Sequence, residues 1–246
     1  MCTLIFAWRV FEDAPVVIAA NRDEALGRPS HPPGVYSESP RILAPWDEEA
    51  GGTWIGTNEH GVSAVITNRW IDTELAAERS RGLLVGDALE RDSAEDAARF
   101  VERSVREFEY DGFNLALMDE NAAILLEWDG GLGVRNFDPG VHVVVNVGAD
   151  GEFEIPSTRA AFGERQAESA RRAREALQPE PGERVAEWHE RAAEALRDHG
   201  YAFCVHADRY GTRSSSLIRV GGGEIEYRFA DGPPCETEYE PVETNR

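Results

Sequence analysis

The second residue of the chain is a cysteine, which becomes the first residue when Met1 is removed. Methionine aminopeptidase removes Met1 when the next residue is small, and the mature chain then carries a thiol and a free α-amine on one residue. The reference pKa is about 8 for an α-amine and about 8.5 for a thiol, so the amine can accept the thiol proton near neutral pH. Cys2 is therefore a candidate nucleophile that needs no separate histidine base. The alternative is a small buried residue at the start of a strand.

A polar cluster, Ala19-Ala20-Asn21-Arg22-Asp23-Glu24, ends the second of two apolar runs at the start of the chain. If these runs form a hairpin, the cluster returns close to Cys2. There the carboxylate of Asp23 could hold the α-ammonium, and Arg22 could lower the pKa of the thiol. The alternative is an exposed loop that contains an Arg–Asp ion pair.

Two asparagines end predicted central strands, Asn68 after AVIT and Asn146 after VHVVV. Their side-chain amides could donate to the oxyanion of an acyl-transfer reaction, or they could simply cap turns. Candidate contacts to a substrate are Asn21, Trp54, Asn114 and Arg213. For three of them the sequence leaves an alternative open, which is core packing for Trp54, a structural hydrogen bond for Asn114 and a surface ion pair for Arg213.

The cysteines and histidines show no ligand spacing. Cys2, Cys204 and Cys235 are an odd number without a CxxC pair, which indicates neither a disulfide framework nor a zinc site. His189 and His199 are expected on the exposed surface of a helix, too far apart for a one-turn ligand pair. We therefore predict no metal site and no required cofactor.

Hydrophobic periodicity predicts strands and helices in alternating blocks, with an irregular, proline-rich stretch over 22–50. The predicted strands are 3–10, 15–20, 53–57, 61–67, 112–118, 122–128, 132–137, 141–147, 201–206, 214–220 and 224–229. The predicted helices are 82–90, 94–108, 158–177 and 183–198.

Short links between successive strands favour antiparallel sheets, and the absence of βαβ alternation argues against a doubly wound fold. Two stacked sheets with a helical layer outside each would cover the apolar strands. The prediction is an α+β fold, a four-layer αββα sandwich, in one domain over 1–246 with a frayed tail over 232–246.

The chain has 246 residues and a net charge of −21, and all 25 basic residues are arginine. Such a charge is typical of a halophilic cytoplasmic protein, since molar salt shortens the Debye length to about 3 Å. An ordinary acidic protein from a GC-rich genome is the alternative. The acidic surface argues against nucleic acid as a partner. No apolar run is long enough to span a bilayer and no signal peptide is evident, so we expect a cytoplasmic location.

Six segments in order resemble the transport and Golgi organisation protein 2 family, also called the NRDE family. They are Met1-Cys2-Thr3, AANRDEALGRP at 19–29, GGTWIGTNEHG at 51–61, AVITNRW at 64–70, YDGFNL at 110–115 and YGTRSSSLI at 210–218. The combination of the six segments is specific to this family. The region 158–199 resembles the family only in being helical and carries no matching motif.

The resemblance implies the αββα fold of N-terminal nucleophile hydrolases of the choloylglycine hydrolase and penicillin acylase type. It implies a catalytic Cys2, an amine contact at Asp23 and an oxyanion role that best matches Asn146. In those enzymes an Arg precedes the Asp by three positions, whereas this chain has Ala20 there and Arg22 next to Asp23.

Three functions follow as hypotheses. The first is hydrolysis of a linear amide or related acyl bond of a small molecule. The second is non-enzymatic binding and trafficking of haem, a lipid or acyl-CoA, which the family resemblance also implies and for which haem would be a bound ligand. The third is a purely structural role. The sequence identifies neither the substrate nor the oligomeric state.

Overall fold

The computed structural model describes residues 2–243, and Met1 and residues 244–246 lie outside the described part. The chain divides into two compact units. We call residues 2–28 and 139–243 the terminal unit, because both ends of the chain build it, and residues 29–138 the central unit.

The strands alternate with helices along the chain as follows. The strands are β1 (Thr3–Trp8), β2 (Val16–Ala25), β3 (Ser30–Glu38), β4 (Arg41–Asp47), β5 (Ile55–Asn58), β6 (Ser63–Asn68), β7 (Phe113–Met118), β8 (Ala123–Trp128), β9 (Leu132–Asn136), β10 (Gly140–Val145), β11 (Gly148–Ala149), β12 (Glu152–Phe153), β13 (Tyr210–Gly221), β14 (Glu224–Ala230) and β15 (Glu240–Pro241). The α-helices are α1 (Arg81–Leu89), α2 (Ala94–Glu107), α3 (Ala160–Ala176) and α4 (Val185–Arg197).

The terminal unit is built on an eight-stranded sheet with the order β12-β11-β10-β1-β2-β13-β14-β15, in which all neighbours are antiparallel. Helix α3 packs on β10 and α4 packs on β2. All six residues of β1 are buried, as are the first eight of β2. The hairpin predicted at the start of the chain is confirmed, and it forms the middle of this sheet.

The central unit contains a seven-stranded sheet with the order β3-β4-β5-β6-β7-β8-β9, again antiparallel throughout. Helix α1 packs on β6, and α2 packs on β7 and β8. Leu84, Val101 and Leu115 belong to one core cluster that the helices and the sheet share. Burial of such side chains contributes about 1.5–3 kcal/mol each.

The stretch over 22–50 is not irregular as predicted, since it holds the end of β2 and all of β3 and β4. β3 is the edge strand of its sheet. The register between β3 and β4 shifts between His31 and Gly34, and Pro32 and Pro33 lie within that shift. A proline at an edge bulge costs no ladder hydrogen bond, which is why the prolines did not prevent a strand.

The strand predicted at 201–206 is wrong. The segment bends at Ala202, whose φ is 56°, and only His206 forms an isolated bridge, to Gly211. The Phe203 carbonyl oxygen accepts a hydrogen bond from the side chain of Asn21 rather than from a neighbouring strand. The prediction that His189 is exposed is also wrong, because only 4% of it is accessible, whereas His199 is exposed as expected.

The end of the described chain returns to the sheet. Val242 N–H donates to the Tyr227 carbonyl oxygen, and β15 pairs with β14. The tail predicted to fray from 232 is therefore hydrogen-bonded here. Among residues 2–243, no helix is both long enough and apolar enough to cross a membrane.

Candidate functional site

The β1–β2 hairpin brings Cys2 beside the polar cluster that ends β2. In the β1–β2 register Thr3 lies opposite Asn21. Because the strands are antiparallel, the preceding residue, Cys2, lies next to the following residues, Arg22 and Asp23. The Cys2 thiol donates to the Asp23 carbonyl oxygen with an Sγ–O distance of 3.7 Å. Hairpin pairing therefore places the candidate nucleophile next to the NRDE segment, as the sequence predicts.

Asp23 is buried, with 3% of its surface accessible, and β13 supplies its partners. In the β2–β13 register Asp23 lies opposite Thr212. The Thr212 hydroxyl donates to Asp23 Oδ1 at 2.5 Å, and the Tyr210 hydroxyl donates to the Asp23 carbonyl oxygen at 3.0 Å. The carboxylate is thus held in one orientation beside Cys2.

Burial dominates the electrostatics of this site. Loss of solvation raises the pKa of Asp23, and the hydrogen bond from Thr212 opposes that rise. Burial also raises the pKa of the Cys2 thiol, the Asp23 charge raises it further, and the charge of Arg22 lowers it. The protonated thiol is the favoured resting form, so an attack by sulfur requires a base that takes this proton.

Arg22 is buried within the terminal unit, with 5% of its surface accessible, and lies opposite Ser214 in the β2–β13 register. The register of β13 shifts between Thr212 and Ser214, so Arg213 occupies a bulge. Its Nη1 donates to the Leu26 carbonyl oxygen at 2.8 Å. Arg213 therefore ties this bulge to the end of β2, and the predicted contact with an anionic substrate group stays a prediction.

Asn146 follows the last residue of β10, and 1% of it is accessible. Leu4 pairs with Val144 in the antiparallel β1–β10 ladder. Extending this register by two residues sets Asn146 opposite Cys2. Its Oδ1 accepts a hydrogen bond from Gln166 Nε2 at 2.9 Å. This contact fixes the amide plane through its oxygen, and the amide nitrogen is the atom that an oxyanion role requires.

Asn21 has a structural function in the terminal unit. Its Nδ2 donates to the Leu196 and Phe203 carbonyl oxygens at 3.1 and 3.0 Å. Both amide hydrogens are therefore used to tie β2 to the end of α4 and the following loop. A substrate contact by Asn21 would have to use Oδ1.

Three predicted site residues belong to the central unit. Asn68 is the last residue of β6 and is exposed, and Trp54 is partly buried against the core cluster. Asn114 is fully buried, accepts from Arg69 Nη1 at 2.9 Å and donates to Thr67 Oγ1 at 3.2 Å. This is the structural hydrogen bonding that the sequence allowed for Asn114. The predicted roles of Asn68 and Trp54 stay predictions.

The residues that sequence reasoning missed are Thr212 and Tyr210, which both bind Asp23. They lie in the YGTRSSS segment, from which only Arg213 was singled out. The alternation of polar residues along a strand was the available signal. It could not be assigned to Asp23 without the pairing of β13 with β2.

Comparisons with known proteins agree with this architecture. The family model of Transport and Golgi organisation 2 matches residues 1–230. The Transport and Golgi organization 2 homolog of Mus musculus is 26% identical over 253 residues, which cover 89% of this chain and 88% of that protein. The corresponding homolog of Bos taurus is 28% identical over 255 residues with the same two shares.

Two solved structures share the fold. A Caenorhabditis elegans ortholog of N-acylethanolamine-hydrolyzing acid amidase superposes with a TM-score of 0.57 at 12% identity, over 88% of this chain and 92% of that one. The C2A mutant of conjugated bile acid hydrolase from Clostridium perfringens gives 0.53 at 11% identity, over 100% and 97%. Both have the N-terminal nucleophile hydrolase fold, which confirms the predicted αββα class. Because the family model matches nearly the whole chain, the protein belongs to the Transport and Golgi organisation 2 family.

Proposed function

We propose that this protein is an N-terminal-cysteine hydrolase of a linear amide or related acyl bond in a small molecule. The observation that carries the proposal is the Cys2 thiol beside the buried Asp23, which Thr212 orients. The shared fold adds support, since the two solved relatives are named for hydrolysing N-acylethanolamines and conjugated bile acids.

Removal of Met1, which lies outside the described residues, gives Cys2 the α-amine that the reaction needs. The amine takes the thiol proton, and Sγ attacks the carbonyl carbon of the substrate. The C–N bond then breaks, the leaving amine takes the proton back, and the acyl group stays on sulfur as a thioester. Water hydrolyses the thioester with the same α-amine as base, which restores the thiol.

Asp23 and Arg22 would set the charges around this cycle. The Asp23 carboxylate stabilises the ammonium that forms when the thiol proton moves, and Arg22 stabilises the thiolate. Arg22 therefore substitutes for the Arg that the related enzymes carry three positions before the Asp. In this proposal the amide nitrogen of Asn146 donates to the oxyanion.

A carrier of haem or of a lipid acyl chain is the second candidate. The observation that favours it is the raised pKa of Cys2, because a thiol that stays neutral is a poor resting nucleophile. The names of the mammalian relatives also refer to transport. A carrier would bind its ligand beside Cys2 without forming a covalent bond.

The test combines intact mass with turnover. Mass spectrometry of the purified chain shows whether Met1 has been removed, and a panel of N-acylethanolamines and acyl-amino acid conjugates is then assayed for released amine. We expect turnover and a trapped acyl adduct on Cys2 in preference to Cys204 and Cys235. Cys2→Ala should lose both while its thermal unfolding midpoint changes little, since it removes a single partly buried sulfur atom.

The matched control has the same sequence but keeps Met1, which is achieved by inhibiting methionine aminopeptidase during expression. This control should be inactive, because its Cys2 nitrogen is an amide. Undiminished turnover in Cys2→Ala contradicts the hydrolase. Tight binding of haem or an acyl chain by Cys2→Ala, without turnover by the processed wild type, supports the carrier instead.

A further inference from the structure

A second cluster of reactive side chains lies in the terminal unit and includes none of the residues that contact Cys2 as described above. It joins the loop that follows α4, which carries His199, Cys204 and His206, to the turn that follows β14, which carries Cys235. Cys204 is buried, Cys235 is partly buried and both histidines are exposed. Spacing along the chain gives no metal motif, and folding alone brings these residues together.

The ligand atoms of this cluster are close to one another. The Cys204 Sγ lies 3.4 Å from Cys235 Sγ and 3.6 Å from His206 Nε2, and His206 Nε2 lies 3.1 Å from Cys235 Sγ. One ligand atom each from His199, His206 and Cys235 lies within 4.8 Å of the others. His206 and Cys235 therefore belong to two overlapping sets of close ligand atoms, one completed by Cys204 and the other by His199.

These separations match a tetrahedral zinc site. With Zn–S bonds of about 2.3 Å and Zn–N bonds of about 2.0–2.1 Å, tetrahedral angles give edges of about 3.8 Å between two sulfurs and about 3.6 Å between sulfur and nitrogen. The three distances among Cys204 Sγ, Cys235 Sγ and His206 Nε2 are shorter than or equal to these values. For Cys204, Cys235 and His206, a cation at the centre would need shifts of only a few tenths of an ångström. His199 would have to move further to become the fourth ligand, since its ligand atom lies within 4.8 Å of those of His206 and Cys235.

The backbone presents these ligands through local turns. Thr212 N–H donates to the Val205 carbonyl oxygen and Ala207 N–H donates to the Tyr210 carbonyl oxygen, which closes the loop between Cys204 and β13. Beside Cys235, the Pro233 carbonyl oxygen accepts from Glu236 N–H and Thr237 N–H. Both segments are thus ordered by bonds that a cation does not have to supply, which lowers the entropic cost of binding.

We propose that Cys204, His206, Cys235 and His199 bind one Zn²⁺ ion in a closed, structural Cys₂His₂ site. Soft thiolates combined with imidazole are the ligands that Zn²⁺ prefers, and four protein ligands leave no position open for catalysis. A disulfide between the two cysteines would leave the convergence of the two imidazoles unexplained.

The proposed ion would also stabilise the loop that positions Thr212 in the candidate active site. Val205, between two of its ligands, donates its N–H to Thr212 Oγ1 at 2.9 Å, and Thr212 donates to Asp23 Oδ1 at 2.5 Å. Two residues, Val205 and Thr212, thus link the zinc site to the carboxylate beside Cys2. Fixing the loop fixes the orientation of the Thr212 hydroxyl.

The experiment titrates the full-length, reduced and metal-stripped chain with Co²⁺ and then with Zn²⁺. We expect one Co²⁺ per chain, with the visible bands of a tetrahedral site and a thiolate charge-transfer band, and displacement by Zn²⁺. Loss of a group that hydrogen-bonds to a metal ligand typically weakens metal affinity by about 10–100-fold. Cys204→Ser or Cys235→Ser removes a ligand itself and should weaken Co²⁺ affinity by more than about 100-fold.

Two matched variants serve as controls: Cys2→Ser, which removes the third thiol, and His60→Gln, which removes an exposed histidine of the central unit. Both should bind Co²⁺ as wild type does. No binding by the reduced wild type, or unchanged bands in Cys204→Ser, would overturn the site whether or not the protein is a hydrolase. Zn²⁺ should also slow hydrogen exchange at the Val205 and Thr212 amides, and unchanged exchange would refute the stabilising role.

Discussion

Thr212 links the carboxylate beside Cys2 to the loop after α4. Its hydroxyl donates to Asp23 Oδ1 and accepts from Val205 N–H. Thr212→Val removes both bonds and keeps the side-chain shape, so the free energy of unfolding should fall by about 1–3 kcal/mol, measured by urea denaturation.

The hydrogen bond from Thr212 lowers the pKa of Asp23 against the effect of burial. Its loss should therefore raise that pKa further and shift the acid limb of the kcat/KM profile to higher pH.

Thr212→Ser is the matched control for this substitution. It keeps the hydroxyl and loses only a methyl group, so the acid limb should return to the wild-type position even where some stability is lost. A purely structural role predicts a different result, in which both variants lose stability and neither shifts the pH profile. An acid limb of Thr212→Val that coincides with the wild type would contradict the assignment of Thr212 as a positioning residue.

The part of the site that could be predicted from sequence is the part that local pairing builds. Cys2 and Asp23 belong to one hairpin, and two apolar runs with a short link predict its register closely enough to bring them together. Thr212 reaches Asp23 across 189 residues of sequence separation. Strand pairing at that distance depends on the whole sheet, and a single sequence does not encode it in any local pattern.

Helix α4 is joined to β2 by a buried histidine, which makes this contact sensitive to pH. His189 Nε2–H donates to the Ile18 carbonyl oxygen at 2.8 Å. Burial lowers the pKa of His189 from 6.5 to about 4. The native state keeps the imidazole neutral, whereas the unfolded chain binds a proton below about pH 6.5. Stability should therefore be unaffected by His189 above pH 6.5 and fall as pH decreases, by about 3 kcal/mol near pH 4.

The comparison of wild type with His189→Gln isolates this effect from the titration of the many carboxylates. Glutamine is uncharged at all these values and can still donate to the Ile18 carbonyl oxygen. Denaturant unfolding from pH 8 to pH 4 should show the wild type losing stability relative to the variant only below about pH 6.5. Two curves that run parallel over the whole range would show that His189 is not held neutral by the fold.

At the level of elements, hydrophobic periodicity predicted the strands and helices that bury one face, and it did not predict the strand that buries neither. The helices and the strands β5 to β10 lie close to their predicted positions. The edge strand β3 has no fully buried residue, shows no strict alternation of burial and contains two prolines, so its sequence does not look like a strand. The error at 201–206 had the opposite cause, since apolar side chains there line a loop that Asn21 holds.

The charge of the whole molecule is not neutralised by its ion pairs. Many arginines pair with carboxylates within one turn of the same helix, as Arg106 does with Glu102 and Arg197 with Glu194. Such exposed pairs contribute about 0–1 kcal/mol each. With 46 acidic and 25 basic residues, a large excess of carboxylates is left in mutual repulsion. The compact state brings these charges closer together than the unfolded chain does.

Salt should therefore stabilise this protein by screening, and we expect the thermal unfolding midpoint to rise steeply from dilute to molar KCl. An increase of about 3 kcal/mol in the free energy of unfolding would raise the midpoint by about 6–12 °C for a chain of this size. Calorimetry over a KCl series measures the unfolding midpoint.

The control is a triple variant in which the exposed Glu107, Glu120 and Glu164 are changed to Lys. Each change makes the net charge less negative by two units and so reduces the repulsion. It should melt higher in dilute buffer and respond less to KCl. A midpoint independent of KCl, or an equal response of both proteins, would show that the acidic surface does not limit stability.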